Sequence, residues 1–496
     1  MPPPVDPRTP VIVGVAQQTQ KPTDLTEALE AAALMQRSVE MAADDCGSTR
    51  LLQQLDVVAV VDGAWRYPDP GRLIADRIGA LEARTILSYG GGNTPQSLVN
   101  ELASRIQNGQ IDSAVITGAE TIWSRRRMRA AGIERQLTKQ VDVDPDERFG
   151  TDIPMSTPFE AERGVELPIN FYPIFESALQ EASGRSMSEH RTYISKMWAG
   201  FNQVAVGNSN AWSRSPMTAE QIREPTPENR MVGFPYTKAM NSNWDLDQAA
   251  ALLICSADAA TANGISRDKW IFPCAGTDAH DTYAVSNRRD LFSSPAIAAA
   301  GTALFELTGT AANTIDHIDL YSCFPSAVQV AVNELGIDPH RQLTLTGGLS
   351  FAGGPLNNYV SHSIATMVET LRSDTGSIGL ITANGGNLTK HAFGLYSTTP
   401  PAKGFRRRDV QASVDAVPST SVDETFTGLG TIEAGTVMHD KAGPAKAIAA
   451  IRTPDGSRTW AFSPDLATMT AFMEHSPVGL ETSVNQDGSF EVTSSG

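Results

Sequence analysis

Two stretches that lie far apart along the chain follow the same order of structural signals. The first runs from the glycine-rich residues 89–95, through a segment with helical spacing, to the apolar residues 114–118. The second runs from residues 351–357, through a similar segment, to the apolar residues 378–383. A glycine-rich turn that leads into a helix and then a buried strand is one α/β unit, and two such units predict a duplicated α/β core. A chance likeness between two ordinary helix–strand units is the open alternative.

The rest of the chain fits a parallel sheet that is buried on both faces. Short runs rich in β-branched residues, such as 11–15 and 57–61, alternate with longer segments of helical spacing, such as 25–43. Continuous apolar strands that alternate with helices are typical of such a sheet. The same alternation returns after residue 245, whereas residues 122–245 carry few strand signals and indicate a long insertion.

The last part of the chain has a different pattern. After residue 401, short strand signals are separated by aspartate–glycine turn signals, which predicts a small antiparallel barrel or sheet. Residues 406–409 are interpreted as a linker, so that this last domain should be removable without unfolding the core. The sequence thus predicts four units, at residues 8–121, 122–245, 246–400 and 410–496.

The overall charge and the scattered cysteines exclude several classes of function. The chain of 496 residues has a formal net charge of −17, which disfavours a nucleic-acid partner. The four cysteines form no C-x-x-C pair and the histidines show no metal-ligand spacing, so neither a disulfide framework nor a metal site is expected. Without a secretory signal or an apolar run of the ~20 residues that span a bilayer, the sequence predicts a cytoplasmic protein.

Two basic clusters contrast with this acidic background. The first consists of Arg125, Arg126, Arg127 and Arg129, and the second of Arg406, Arg407 and Arg408. Arginine clusters can hold small phosphorylated ligands, because the guanidinium fork matches phosphate oxygens. A solvated surface that balances nearby acids is the alternative for each cluster.

Four motifs in a fixed order resemble those of the thiolase superfamily, and the likeness covers residues 8–400. They are the first strand at residues 11–16, the helix from Pro325, the pair Gly347–Gly348 followed by Gly353, Gly354 and Pro355, and the loop Ala383, Asn384, Gly385 and Gly386. The segment 389–397 and the extra C-terminal domain narrow the resemblance to type 1 thiolase-like proteins, commonly labelled acetyl-CoA acetyltransferases. The resemblance implies a five-layered αβαβα core with a loop insertion, plus a small β-rich, barrel-like C-terminal domain.

In thiolases, a cysteine thiolate at a helix N-terminus takes an acyl group from coenzyme A, and a histidine activates it. A second cysteine moves the α-proton, and an Asn or His holds a water in the oxyanion hole. Carried over by the motifs, the nucleophile position is Gly92, the oxyanion position is Tyr321, the histidine position is Gly354 and the second cysteine position is Ala383. Ordinary thiolase activity is therefore predicted to be negligible.

Several other side chains near these motifs are candidates for chemistry. Cys323 could be a reactive thiol or a buried structural one, and His391 could be a general base or only support its loop. The hydroxyl of Tyr321 could donate a hydrogen bond to a thioester carbonyl. Asn384 is a candidate to contact the ligand. Asn93 and Tyr396 are less specific candidates of the same kind.

The residues leave three hypotheses for function. The first is an acyl-CoA-binding protein of thiolase ancestry that has lost or altered its carbon–carbon chemistry. The second is an acyltransferase, related to acetyl-CoA acetyltransferases, with a rebuilt site such as Cys323 with His391. The third is a scaffold for interactions. The resemblance implies no permanently bound cofactor, CoA or acyl-CoA as the ligand, a role in lipid metabolism, and a possible homodimer through residues 84–88. Because the net charge of −17 repels an anionic ligand, a local cationic site is expected to hold its phosphate, with Arg125, Arg126 and Arg127 favoured and Arg406–Arg408 in reserve. Asn384 is a further candidate contact.

Overall fold

The first part of the chain forms most of a six-stranded mixed sheet in a computed structural model that describes residues 5–493. Its elements are β1 (Pro10–Thr19), α1 (Ala31–Cys46), β2 (Val57–Val60), α2 (Pro70–Ile78), β3 (Arg84–Ser88), α3 (Thr94–Gln107) and β4 (Ser113–Thr121). The central strands are buried on both faces, which explains why they are continuous apolar runs in the sequence. The glycine-rich turn after β3 leads into α3, as predicted.

The insertion is mainly helical and holds three short strands. It comprises α4 (Ile122–Ala130), β5 (Glu147–Phe149), α5 (Pro158–Glu162), α6 (Pro168–Ala182), α7 (Met187–Gly207), α8 (Ala219–Arg223), β6 (Met231–Gly233) and β7 (Tyr236–Thr237). Side-chain capping boxes at Thr157, Ser186 and Thr218 start α5, α7 and α8. β5 pairs in parallel with β3 and so covers the outer edge of the first sheet.

The remaining core elements follow the insertion. They are β8 (Asp247–Ser256), α9 (Ala257–Ala262), β9 (Phe272–His280), α10 (Pro295–Thr308), β10 (His317–Asp319), α11 (Pro325–Leu335), α12 (Gly348–Phe351), α13 (Tyr359–Ser373), β11 (Ile378–Gly385) and β12 (Lys390–Ser397). β8 corrects the boundary predicted at residue 246, because it pairs with β1 and β4 in the first sheet. The insertion therefore interrupts the first half, and the second half begins after β8.

The two sheets repeat one topology. The order β2–β4–β8–β1 in the first sheet corresponds to β10–β11–β12–β9 in the second. In both, the first pair is parallel and the next two pairs are antiparallel. The two turn–helix–strand units that indicated a repeat in the sequence correspond to α3 followed by β4 and to α13 followed by β11. The predicted duplicated core is confirmed.

The layers of this core follow from which sheets each helix contacts. The two helices of the repeat, α3 and α13, contact strands of both sheets and form the middle layer. α1 and α2 pack on the outer face of the first sheet, and α10 and α11 pack on the outer side of the second. The result is the five-layered αβαβα arrangement that the resemblance implied. No helix within residues 5–493 is both long and apolar enough to cross a membrane.

The predicted linker at residues 406–409 is wrong. These residues form β13 (Arg406–Asp409), which pairs in parallel with β9 at the edge of the second sheet. The chain reaches the last domain only after α14 (Gln411–Asp415). A run of arginines favours a solvated segment, but the open edge of the second sheet pairs with its backbone, and nearby acids pair with Arg407 and Arg408.

The C-terminal domain is a curled antiparallel sheet with one helix packed on it. Its elements are β14 (Gly428–His439), β15 (Pro444–Arg452), β16 (Arg458–Ser463), α15 (Leu466–Glu474), β17 (Glu481–Val484) and β18 (Phe490–Val492). The order is β16–β15–β14–β17–β18, and a bridge from Phe462 to Ser489 brings the two ends together like a barrel. The β6–β7 hairpin of the insertion joins this sheet through β14.

This domain shares a hydrophobic core with the rest of the chain. Trp460, Ile448 and Ala450 belong to the same buried cluster as Phe171 of α6. Trp460 packs edge-to-face on Phe171, with ring centroids 6.1 Å apart. These contacts argue against the expectation that the domain can be removed without effect on the core.

Candidate functional site

The turn between β3 and α3 leaves no room for a side chain at Gly92, the position that the resemblance assigns to a nucleophile. A β-carbon built on Gly92 would overlap with the hydroxyl oxygen of Tyr321 and lie 2.5 Å from the carbonyl oxygen of Asn384. A backbone carbonyl cannot move aside as a flexible side chain can. The packing therefore excludes a nucleophilic side chain at residue 92, where the sequence has glycine.

Tyr321 brings its hydroxyl to the place that a cysteine side chain would occupy. It follows β10, its backbone N–H donates to Thr382 Oγ1, and its ring packs edge-to-face on Tyr359. Among residues 5–493 the hydroxyl has no hydrogen-bond partner at all. Desolvation and the neighbouring Cys323 raise the pKa of Tyr321 well above its usual range, so the hydroxyl stays protonated. It can therefore donate a hydrogen bond to a bound carbonyl.

Asn384 lies next to this hydroxyl and belongs to a small polar cluster. Its Nδ2 donates to the hydroxyl oxygen of Tyr172, 2.9 Å away, and lies 3.8 Å from Cys323 Sγ. Its Oδ1 is buried without a partner in the described chain. Buried polar atoms normally have partners, so this oxygen marks a place where a ligand or a water fits.

Cys323 is a poor nucleophile in this setting. Its side chain is buried, and burial raises the pKa of the thiol to about 12. Nucleophilic cysteines have lowered pKa values, because only the thiolate attacks. The structure thus places Cys323 and Tyr321 together beside Gly92 and Asn384, but leaves the thiol protonated.

Among the described residues, His391 contacts a buried carboxylate and is not hydrogen-bonded to Cys323, the thiol that it would have to activate as a general base. Its Nε2 lies 3.5 Å from Asp281 Oδ2, and both side chains are buried. Asp281 in turn accepts a hydrogen bond from the backbone N–H of Ala296 in α10. Burial opposes the charge on Asp281, but the contact with His391 and the charge of Arg288 lower the pKa of this carboxyl. No hydrogen bond joins His391 to Cys323 in the described chain, so the structure does not assemble them as a pair.

The other two family positions carry no reactive group. Ala383 is buried on β11 and pairs with Ala392 across the strands. Gly354 lies at the start of the turn before α13, and a β-carbon built on it would be 3.4 Å from Leu349 and from Ser242. Tyr396 donates to Gln96 Oε1 in the interior, which is a packing role. Asn93 Oδ1 is buried behind the Gly91–Gly92 turn without a partner among the described residues.

The first arginine cluster lies on α4, at the surface. Arg125 donates to the carbonyl oxygen of Ala64, and Arg126 and Arg127 lie 3.2 and 3.6 Å from Asp245. One carboxylate therefore faces two guanidinium groups, so positive charge remains for a further anion. Arg126 also lies over the ring of Trp244, which is 51% exposed.

A short segment connects this cluster with the polar site. Ser242 lies beside Gly354 and donates to the carbonyl oxygen of Cys323, while Trp244 and Asp245 stand at the surface with the arginines. Residues 242–245 therefore lead from the interior site to the charged surface.

Two of the three arginines in the second cluster already have acidic partners. Arg407 bridges Glu101 and Asp278 at 2.6 and 3.1 Å, and Arg408 pairs with Glu306 at 2.5 Å. These acids lie on α3, β9 and α10, the elements next to β13. Within residues 5–493, no group of three or more His, Cys, Asp or Glu side chains is arranged to hold a metal ion.

Tyr172 is the residue of this site that sequence reasoning missed. It lies on α6 within the insertion, and its hydroxyl contacts Asn384 Nδ2 and the backbone N–H of Leu388, each at 2.9 Å. Its neighbours in the sequence are apolar, so the local pattern indicates only a buried helix face. Nothing in one sequence shows that this face meets the loop after β11.

Comparisons with known proteins extend these observations. Residues 409–489 match the model of the thiolase-like protein type 1 additional C-terminal domain. A curated acetyl-CoA acetyltransferase from Methanothermobacter thermautotrophicus is 26% identical over 294 residues, which cover 53% of this chain and 71% of the relative.

Solved structures give the same fold over more of the chain. A monomeric SCP2-thiolase-like protein type 1 from Mycobacterium smegmatis superimposes with a TM-score of 0.84 at 28% identity, covering 99% of this chain and 100% of its own. The dimeric peroxisomal thiolase of Saccharomyces cerevisiae matches with a TM-score of 0.57 at 15% identity, over 79% of this chain and 98% of its own.

Proposed function

We propose, because this chain belongs to the thiolase superfamily and carries the type 1 additional C-terminal domain, that it binds acyl-CoA without forming an acyl-enzyme. The observation that carries the proposal is the unpartnered hydroxyl of Tyr321 at the position of the lost nucleophile. In this interpretation the hydroxyl donates to the thioester carbonyl. Carbon–carbon chemistry is negligible, since neither Gly92 nor Ala383 supplies a thiol.

The phosphate end of the ligand is proposed to lie on α4. The chain has a net charge of −17, so the affinity for an anionic ligand must come from a local cationic site. Arg126 and Arg127 offer such a site, and the exposed ring of Trp244 beside them offers a surface for a planar base. The segment 242–245 supports this orientation because it joins the cluster to the Tyr321 site.

The proposal also includes a role in lipid metabolism in the cytoplasm and a monomeric state. The monomer rests on β5, which pairs along β3 and leaves that edge unavailable to a second chain. The bidentate contact of Arg105 with Glu147, at 2.9 and 2.6 Å, holds β5 in place.

Calorimetric titration with CoA, 3′-dephospho-CoA and acetyl-CoA tests the binding. In Arg126→Ala/Arg127→Ala, the affinity for CoA should fall about tenfold and approach that for dephospho-CoA, since a charged hydrogen bond contributes about 1.5–3 kcal/mol. In Tyr321→Phe, the affinity for acetyl-CoA should fall about fivefold, while that for CoA stays the same.

A matched control removes two arginines elsewhere. Arg37→Ala/Arg50→Ala lowers the net charge equally from exposed positions on and after α1, and it should leave all three affinities unchanged. Failure of the unmodified protein to bind any of the ligands at millimolar concentration would reject the proposal and favour the scaffold hypothesis.

A further inference from the structure

The loop between β11 and β12 forms one wall of the candidate site and needs support from outside. We call residues 384–389 the loop 384–389; they comprise the last two residues of β11, Asn384 among them, and the turn to β12. Leu388 in this turn adopts a φ of 56°, in the left-handed region that disfavours a bulky side chain. Such a conformation persists only where the surroundings hold it in place. Two side chains from other parts of the chain do so.

The first support is Tyr172. Its hydroxyl accepts hydrogen bonds from Asn384 Nδ2 and from the backbone N–H of Leu388, and donates to the carbonyl oxygen of Gly386 at 3.2 Å. One hydroxyl thus fixes three points of the loop.

The second support is Arg288, which is 5% exposed. Its Nη2 donates to the carbonyl oxygens of Asn387 and Leu388, at 2.7 and 2.8 Å, and to Thr389 Oγ1 at 3.0 Å. A buried guanidinium that binds carbonyls in place of a carboxylate depends on its own backbone being held firmly.

Both supports are held by one strand of the C-terminal domain. Arg458, on β16, donates through Nη1 to the carbonyl oxygens of Ser286 and Arg288, each at 2.7 Å. Glu433 of β14 fixes its guanidinium through bonds of 2.7 and 2.6 Å. Arg458 is fully buried, so this network replaces all of its hydration.

Trp460 stands two residues further on the same strand and therefore on the same face. Its Nε1 donates to Ser286 Oγ at 2.7 Å, and its ring packs on Phe171, the residue before Tyr172. The face of β16 that carries Arg458 and Trp460 thus holds the turn of Arg288 and the helix of Tyr172 together.

We propose that the C-terminal domain is part of the binding site, and that Arg458 and Trp460 are positioning residues that order the loop 384–389 through Arg288 and Tyr172. The ligand part of this inference rests on the proposed function, whereas the ordering of the loop does not. The C-terminal domain thus supplies contacts that support the site, which an unrelated C-terminal extension would not supply.

Hydrogen exchange of the full-length chain, followed on peptides that contain residues 385–389, tests the ordering without ligand. Arg458→Lys keeps the charge but cannot form the fork to Glu433 while reaching two carbonyls. Exchange in the loop should become at least tenfold faster, and the affinity for acetyl-CoA should fall about tenfold. Arg452→Lys is the matched control, because Arg452 also binds Glu433 but donates to the carbonyl oxygen of Arg289, whereas Arg458 donates to those of Ser286 and Arg288.

Trp460→Phe decides the question if Arg458→Lys does not fold. It keeps an aromatic ring against Phe171 but removes the hydrogen bond to Ser286 and part of the ring volume. Exchange at residues 385–389 should therefore rise, while that of the α1 peptides stays constant. Wild-type exchange in the loop of a folded variant would overturn the inference. Faster loop exchange in a protein that binds no acetyl-CoA would uphold the ordering of the loop by Arg458 and Trp460, and would reject the proposed function and the ligand part of the inference.

Discussion

At the scale of single residues, Gly92 and Tyr321 compete for one small space. Gly92 has no side chain, and the hydroxyl of Tyr321 lies where a β-carbon at residue 92 would be. The remaining thiol, Cys323, is close by but buried and protonated. The geometry therefore favours recognition of a carbonyl group over attack on it.

All four cysteines should resist alkylation in the folded protein. Burial raises the pKa values of Cys46 and Cys255, and those of Cys274 and Cys323 to about 12. At pH 8 a thiol with that pKa is about 10⁻⁴ ionised, and the reactive fraction should grow tenfold per pH unit. Timed labelling with iodoacetamide, read by intact mass, should give almost no product at pH 8 and four adducts after denaturation. Rapid labelling of Cys323 alone would instead support the acyltransferase hypothesis.

Gly92→Ala should destabilise the protein by about 1–3 kcal/mol, the usual cost of inserting a methyl group into a filled core. Gly200→Ala is the control, since no atom lies within 4 Å of its added carbon, and alanine in a helix is favoured by about 0.5–1 kcal/mol. Urea unfolding measures both differences. Equal stabilities for Gly92→Ala and the wild type would mean that the turn can open to admit a side chain.

At the scale of elements, β13 and β16 join the last domain to the core. β13 adds to the edge of the second sheet, and β16 presents Arg458 and Trp460 to the segment after β9 and to α6. A domain linked by a strand, a buried arginine and a shared apolar cluster is not an independent unit.

A chain that ends at residue 403 should therefore be insoluble or melt far below the full-length protein. Removal of one buried tryptophan costs about 3–5 kcal/mol, out of a total stability of about 5–15 kcal/mol. The truncation removes Trp460, which packs on Phe171, and also β13, which pairs with β9. Thermal unfolding of the soluble fraction, with a chain ending at residue 493 as reference, measures the loss. Cooperative melting near the melting temperature of the reference chain would show that the C-terminal domain is separable, as the sequence predicted.

At the scale of the whole molecule, the two halves, the insertion and the C-terminal domain meet around one site. The first half supplies Gly92, the second supplies Tyr321 and Asn384, and the insertion supplies Tyr172. The insertion also provides β5, which closes the sheet edge at β3.

Light scattering should therefore give the mass of one chain, 53.0 kDa. Glu147→Lys places a second cation beside Arg105, which should release β5 and cause association through the exposed β3 edge. Glu134→Lys makes the same charge change at an exposed position of the same insertion and should remain monomeric. A stable dimer of the unmodified chain would show that β5 does not protect this edge.

The sequence by itself determined the duplicated core, the resemblance to the thiolase superfamily and the absence of cysteine at residues 92 and 383. Those properties depend on local sequence. Apolar runs indicate buried strands, glycine-rich turns indicate where a helix begins, and the absence of a cysteine follows directly from the residue type. The same local patterns also pointed to the β-rich character of the last domain.

Only the tertiary structure decided where these pieces meet. In the structure β8 pairs within the first sheet, and residues 406–409, predicted as a linker, form β13. His391 contacts Asp281, and Tyr172 and Arg288 bind the loop 384–389. Each of these contacts joins residues that are remote in the chain. Their hydrogen bonds depend on the packing of whole layers, and no periodicity within a segment records its partner.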